Sequence, residues 1–283
     1  MFRMIGYELA KLRVQKKNYV MLACHLFFLA LCYLAFRSAQ GRFFQRFDRT
    51  MNFHLENLND YLDGLFFARV AMVPTFIVLM PILVATLAGD TVAGEMQDGS
   101  LKMYVSRARS RSAVLLSKFF AVYLVTLLFC IWFATVNVVV GVMILGVSPT
   151  QLVMLTDRMF GTDVVVMGCG GALLRYIASA LYFSFSLTAL GAITLFFSCI
   201  FNRMSAATVT VISLYFVSYV IAALPFSEAI RPYLLSEVMN NAFLFWLSPL
   251  PLHKLLLNLA ALSLYTAGFL LGAVLTFNCK DLK

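Results

Sequence analysis

The sequence predicts an all-α, polytopic membrane protein with six transmembrane helices and both termini on the inner side. Its 283 residues are 62% hydrophobic and only 12% charged, whereas soluble domains carry about 25% charged residues. A bilayer core requires about 20 consecutive apolar residues per helix, and six charge-free runs have roughly that length. These runs are 18–36, 70–89, 119–147, 176–201, 204–227 and 255–279.

The orientation follows from the distribution of lysine and arginine, which are in excess in cytoplasmic loops. With the N-terminus inside, the inner segments contain 13 of the 22 Lys and Arg residues in 52 positions, and the outer segments contain nine in 88. Once the acids are included, the inner segments carry +8 of the net charge of +9 and the outer segments +1. Topology therefore explains the basic composition, and we expect no nucleic-acid partner.

We treat the chain, residues 1–283, as a single transmembrane domain. Residues 1–17 combine helically spaced apolar residues with five cations, which predicts a short amphipathic elbow helix on the inner leaflet. In the first outer segment, an apolar stripe with spacings of three and four residues predicts a helix over about 42–66. We expect this helix to pack against the rest of the protein, with contact to a second copy as the alternative.

The next elements surround the second span. Pro74 and Pro81 predict a kink inside it, which membrane helices tolerate. The span is followed by the cytoplasmic loop 90–118, in which Asp90 is expected to cap a short helix and Gly99 to end it. Three acids precede a basic run in this loop, an order that topology alone does not explain.

Two later segments are too short or too interrupted to span the membrane. The apolar run 164–174 has only 11 residues and is interpreted as an interfacial or re-entrant piece. The segment 225–254 contains four prolines and is interpreted as an outer re-entrant segment, with a short helix over Leu234–Phe245. Trp246 is expected to anchor this segment in the membrane interface.

The sequence contains no motif for catalysis, for phosphate binding by a P-loop or for a metal site, so no catalytic residue, metal or cofactor is assigned to this chain. The six runs contain no charged residue, which disfavours an ion-coupled carrier. Polar side chains within them are candidates for a substrate path, with hydrogen bonding between helices as the alternative. These candidates are Asn137, Ser184, Thr188, Tyr215 and Tyr219.

The loop 90–118 carries a recognisable series of short stretches. They are Ala93-Gly94-Glu95, then Asp98-Gly99-Ser100-Leu101-Lys102, then Ser106-Arg107-Ala108-Arg109-Ser110-Arg111, and finally Lys118. This series resembles the membrane permeases of type-2 ABC exporters, which have a Glu, a Gly-Thr-Leu-Arg-like step, a Ser-Arg-Pro-x-x-Arg-like step and a Lys that opens the third helix. Here Ser100 replaces the Thr and Ala108 replaces the Pro.

Other features fit the same family. The start of the chain, with Glu8 among basic residues, looks like the elbow helix of these permeases. The segment 225–254 looks like their re-entrant hairpin between helices five and six. The ending from Phe277 to Leu282 is similar to the C-termini of many members.

The resemblance implies a permease that docks cytosolic ABC ATPases, which bind ATP and Mg²⁺, in the bacterial cytoplasmic membrane. It also implies a second permease chain, identical or related, and assigns coupling to a short helix around 91–103. The residues expected to couple to the ATPase are Asp90, Glu95, Asp98, Gly99, Lys102, Arg107 and Arg111. The apolar spans suit a hydrophobic, amphipathic or peptide-like substrate. A membrane scaffold or assembly factor that does not transport is the alternative function.

Overall fold

The six predicted spans are present as helices. The computed structural model describes residues 2–51, 63–107, 110–155, 163–247 and 250–280. Within these ranges six helices are long and apolar enough to cross a membrane, and each overlaps one of the predicted runs. Their bounds are Lys16–Ser38, Gly64–Gln97, Arg111–Leu145, Cys169–Ile200, Met204–Ala223 and Leu252–Cys279. The predicted helical fold with six spans is confirmed, with one short β-hairpin as an addition to it.

The N-terminal part of the chain forms two helices, α1 (Phe2–Val14) and α2 (Lys16–Met51). Helix α2 continues past the first span, so residues 42–51 of the predicted outer helix form its end. Residues 52–62 lie outside the described part of the chain. A new helix begins after Asp63, whose backbone is extended and whose carboxylate accepts a hydrogen bond from the Phe66 N–H. The outer helix expected over about 42–66 is therefore divided between two elements.

The second span is a distorted helical segment of 34 residues. It consists of α3 (Gly64–Pro74), a π-helical stretch (Thr75–Leu79), α4 (Met80–Gly89), a second π-helical stretch (Asp90–Gly94) and α5 (Glu95–Gln97). Pro74 and Pro81 flank the first π-helical stretch. A proline lacks the N–H that an α-helix needs and clashes with the preceding turn, so the backbone bonding changes where the prolines predict a distortion.

Helices α6 (Ser100–Arg107) and α7 (Arg111–Leu145) follow, and then an antiparallel hairpin of β1 (Thr150–Leu155) and β2 (Asp163–Gly168) leads into α8 (Cys169–Ile200). The sequence suggested that the run 164–174 is one interfacial or re-entrant piece. In the structure this run is instead divided between two elements. Its first five residues belong to β2, in agreement with the strand preference of its three consecutive valines. Its remainder forms the first turns of the α8 span.

The last part of the chain contains α9 (Met204–Ala223), α10 (Leu235–Asn240) and α11 (Leu252–Cys279), with short 3₁₀ turns before and after α10. The segment between the last two spans is thus broken, as expected, and the short helix predicted over Leu234–Phe245 is divided into α10 and a 3₁₀ stretch over Asn241–Trp246. Trp246 does not anchor it in an interface, because only 8% of this residue is exposed. Its ring packs against Tyr176 and lies under the guanidinium of Arg69, at 4.9 Å.

Helix α8 lies at the centre of the fold. It packs against α4, α7, α9 and α11, and most of its residues are buried inside the protein. Small residues along it, such as Gly191 and Ala192, allow neighbouring helices to approach. Helices α2 and α11 lie at the periphery, and few residues of their membrane spans are buried inside the protein.

Contacts between helix ends show which ends lie on the same side of the helical bundle. On one side Lys17 binds Asp90, Arg111 binds the backbone carbonyl of Lys280, and Lys280 binds the backbone of Cys199. On the other side the Gly64 N–H donates to Gly146, and Arg175 donates to the carbonyl of Leu247. The two ends of the described chain are therefore on the same side, as an arrangement with both termini inside requires.

Candidate functional site

The loop 90–118 begins as a continuation of the second membrane helix. Asp90 was expected to cap a new helix, but it lies within the 34-residue segment, because the backbone before and after it stays helical. Its carboxylate instead accepts hydrogen bonds from Lys17 Nζ at 2.6 Å and from Gln15 Nε2 at 3.0 Å. Asp90 therefore joins the second span to the start of the first.

Gly99 ends this helical segment, as predicted. Its φ of +72° lies in the left-handed region, which glycine adopts without a steric penalty, and its N–H donates to the Met96 carbonyl at 3.1 Å. Helix α6 starts at the next residue. The three residues of the turn, Gln97, Asp98 and Gly99, are exposed. We call them the exposed turn.

Just below the exposed turn lies a buried group of four charges. Lys118 Nζ donates to Glu8 Oε1 at 2.8 Å and to Glu95 Oε1 at 2.6 Å. The same oxygen of Glu95 accepts from Lys11 Nζ at 2.6 Å. We call Glu8, Lys11, Glu95 and Lys118 the Lys118 cluster. It connects three elements: α1, the end of the second span and the start of α7.

Burial makes the Lys118 cluster sensitive to any loss of balance. The side chains of Lys118, Glu8 and Glu95 are 1%, 3% and 7% exposed, and that of Lys11 is 36% exposed. Two cations face two carboxylates, so the group is neutral as a whole. A buried charge without a partner is costly, and each of the three buried charges here has a partner of opposite sign within 2.8 Å.

The environment of the cluster alters two pKa values. Burial by itself lowers the pKa of Lys11, but the hydrogen bond that Lys11 donates to Glu95 and the attraction of Glu95, Glu8 and Asp90 outweigh burial and raise it. Tyr104 stacks on Tyr7 and lies under the Lys118 ammonium, 5.3 Å from its ring centre. Burial, together with the negative charges of Glu8 and Glu95, raises the pKa of Tyr104.

The seven residues predicted to couple to the ATPase therefore have different surroundings. Glu95 and Asp90 are engaged by lysines of the same chain, whereas Asp98 and Gly99 are exposed. Arg111 donates to the backbone carbonyls of Asn278 and Lys280, at 3.2 and 2.9 Å, and so fixes the start of α7 to the end of α11. The remaining two, Lys102 and Arg107, belong to α6.

Four of the five polar residues of the predicted substrate path are engaged by different partners within the chain. Asn137 accepts from His25 between α7 and α2 at 3.1 Å, Tyr215 donates to the Ile77 carbonyl at 2.9 Å, and Tyr219 donates to Asn240 at 2.5 Å. Ser184 and Thr188 are buried in α8. Most of these hydrogen bonds join neighbouring helices, which is the alternative role that we left open.

Tyr215 has a second feature. It lines a shallow groove between α4, α8 and α9, and the other lining residues are apolar. They are Pro81, Ile82, Ala85, Leu190, Val211, Ile212 and Phe216.

Sequence reasoning missed the pairing of Glu8 with Lys118, which are 110 residues apart. Two signals were present. Glu8 is the one acid of the basic segment 1–17, and Lys118 directly precedes a charge-free span. Neither signal identifies its partner, since only the packing of α1 against α7 brings the two together.

The fold and this site define a multi-pass membrane protein in which an N-terminal helix is fastened by ion pairs to the connection between the second and third spans. Residues 8–282 match the family model described as ABC-2 family transporter protein, so the chain belongs to the ABC-2 transporter family. It is thus a permease of an ABC transporter, a transport subunit that is not itself catalytic. A search of curated proteins found no match.

Proposed function

We propose that this permease works in an ATP-driven exporter of the bacterial cytoplasmic membrane, as a dimer that docks two cytosolic ABC ATPases. The ATPases bind ATP and Mg²⁺ and supply the energy. The observation that carries the proposal is the exposed turn, which lies at the end of a helical segment of 34 residues. The residues just before the turn are held by the Lys118 cluster through Glu95. A short exposed element on a fixed base is suited to receive a rigid-body movement.

The contacts within the chain support a route for that movement. A helix of 34 residues is about 50 Å long, so a displacement of the exposed turn acts on the whole second span. Glu95 directly precedes the turn and is bound to Lys118 and Lys11. Helices α1 and α7 would therefore move together with the turn. In this proposal Asp98 and Gly99 contact the ATPase, and Glu95 transmits the movement from inside the protein.

The exposed face of α9 supports an apolar or amphipathic cargo, such as a lipid-like molecule or a peptide. Its large exposed side chains are apolar, as at Val209, Leu214 and Val217. Cargo of this class gains free energy by leaving water for such a surface. The absence of Asp, Glu, Lys and Arg from the predicted spans agrees with an uncharged or amphipathic cargo.

The test is to reverse the charge of the exposed turn with Asp98→Arg and to purify the protein gently from its native membranes. We expect the amount of co-purified ATPase to fall at least tenfold, because the substitution changes the contact surface without touching the Lys118 cluster. Arg203→Asp is the matched control, since Arg203 is exposed between α8 and α9 on the same side. This control should retain the ATPase.

Two results would contradict the proposal. One is that no ATPase co-purifies with the wild-type protein when it is extracted gently from its native membranes. The other is that cells carrying a hydrolysis-deficient ATPase keep the full activity of the system. That second result would favour the scaffold, which needs no ATP hydrolysis.

A further inference from the structure

The charges around α1 are separated into an inward and an outward group. Three lysines point into the protein and bind carboxylates. These pairs are Lys11 with Glu95, Lys17 with Asp90, and Lys118 with Glu8 and Glu95. Arg3, Arg13 and Lys16 are exposed, and none of them has an ion-pair partner among the residues that the structure describes. The outward group is therefore free to bind an anion from outside the chain.

Two of these cations lie at the boundary of the membrane. Arg13 is in the last turn of α1, and Lys16 is the first residue of α2, with one turn or less of chain between them. The first membrane span begins at Lys16. Both cations are thus placed at the level where the polar headgroups of the inner leaflet meet the start of a transmembrane helix.

Exposed apolar and aromatic residues accompany the two cations. Val14 is 78% exposed and Tyr19 is 58% exposed. Tyrosine is enriched at membrane interfaces, where its hydroxyl reaches the headgroups and its ring contacts the upper part of the acyl chains. We propose that Arg13, Lys16 and Tyr19 form a binding site for an anionic phospholipid, with the phosphate-bearing headgroup on the two cations and an acyl chain against Tyr19 and Val14.

A lipid fits this surface better than an acidic partner protein. Tyr19 belongs to the first membrane span, whose exposed residues are available to lipid. Two exposed cations that adjoin exposed apolar residues along the chain complement an amphipathic ligand, which carries its charge at one end and its apolar part at the other. The leaflet that faces the cytoplasm is rich in anionic lipids, and Lys and Arg near it are attracted to them.

The experiment compares two lipids on the full-length protein in detergent. Phosphatidylglycerol and phosphatidylcholine with the same acyl chains are added, and the bound lipids are counted by native mass spectrometry. We expect the wild-type protein to prefer phosphatidylglycerol. The double variant Arg13→Gln/Lys16→Gln should bind it about 30-fold more weakly, since two cations at about 1 kcal/mol each correspond to that factor.

Two further variants make the result specific. Lys254→Gln removes an exposed cation at the start of α11, on the opposite side of the protein, and should leave the preference unchanged. Arg13→Lys/Lys16→Arg keeps both charges and should keep most of the binding. Because neither Arg13 nor Lys16 pairs within the described chain, we expect the double variant to unfold at the same temperature as the wild type.

The proposal is overturned if the wild type binds both lipids equally, or if the double variant keeps its preference for phosphatidylglycerol. A double variant that binds phosphatidylglycerol normally but loses its co-purified ATPase would assign these cations to a protein interface instead.

Discussion

Lys118 binds two buried carboxylates at the candidate site, and replacing it with methionine gives the sharpest test of the structure. Methionine has a similar length and no charge, so Lys118→Met removes two ion pairs and leaves little empty space. Glu8 then loses the one cation within ion-pair distance of it among the described residues, while Glu95 keeps Lys11. The variant thus leaves one buried carboxylate without a direct partner and with only the more distant attraction of Lys11.

The expected loss of stability follows from the burial of the groups involved. Lys118 and Glu8 are 1% and 3% exposed, so solvent cannot replace the lost partner. Removing one member of a buried ion pair costs about 3–5 kcal/mol. The same reasoning predicts a much smaller effect for Lys11→Gln, because Lys11 is 36% exposed and water screens its interaction.

The measurement is the free energy of unfolding of the purified protein in detergent micelles with increasing amounts of SDS. Lys254→Met serves as the control, because Lys254 is exposed and we expect a change below about 0.5 kcal/mol. A double variant, Lys118→Met with Glu8→Gln, should recover most of the lost stability, since Glu95 keeps Lys11 and no unpaired carboxylate remains. If Lys118→Met is as stable as the Lys254→Met control, the cluster is not buried and paired as described.

Three further predictions concern other parts of the fold. Gly64→Ala should destabilise the protein by about 1–3 kcal/mol, because its new Cβ would lie 2.4 Å from the carbonyl carbon of Gly141. Gly268→Ala is the control, since its Cβ meets nothing within 4 Å, and it should not destabilise the protein. SDS unfolding compares the two variants. Asp63→Ala should cost about 2 kcal/mol in the same assay, because the carboxylate is buried and accepts two backbone hydrogen bonds. Lys11 has a raised pKa, so its ionised form stabilises the fold fully below its ordinary pKa of 10.5 and this contribution is lost as the pH rises through the raised value. The stability difference between wild type and Lys11→Gln should therefore be constant from pH 7 to about 10 and shrink above that range; a difference that shrinks as the pH falls towards 7 would contradict the ion pair.

The membrane spans and several helix boundaries could be predicted from residues that act locally. Charge-free runs of sufficient length identify spans regardless of their neighbours, because the cost of exposing a charge to lipid applies to each residue. Gly99 ends a helix through its own backbone freedom, and Pro74 and Pro81 disturb one through their missing N–H groups. Each of these predictions depends on the residue itself and on the few residues next to it.

The predictions that failed depended on distant partners. Asp90 has a side chain that is typical of a helix cap, but its carboxylate binds Lys17 and the helix continues through Asp90. Trp246 has the chemistry of an interface anchor, but the neighbouring Tyr176 and Arg69 bury it. In both cases the local pattern was compatible with two environments, and the packing of other helices selected one of them.

By itself the sequence determined the class of this protein: six apolar spans, the side on which its cations accumulate and the resemblance of the loop 90–118 to a family that the match over residues 8–282 now establishes. Only the tertiary structure decided what the acids of that loop do. Glu95 and Asp90 face lysines from the N-terminal part of the chain, and Asp98 remains exposed. The physical reason is that hydrophobicity is a property of each segment, whereas an ion pair between residues 110 positions apart exists only after the helices that carry them have packed.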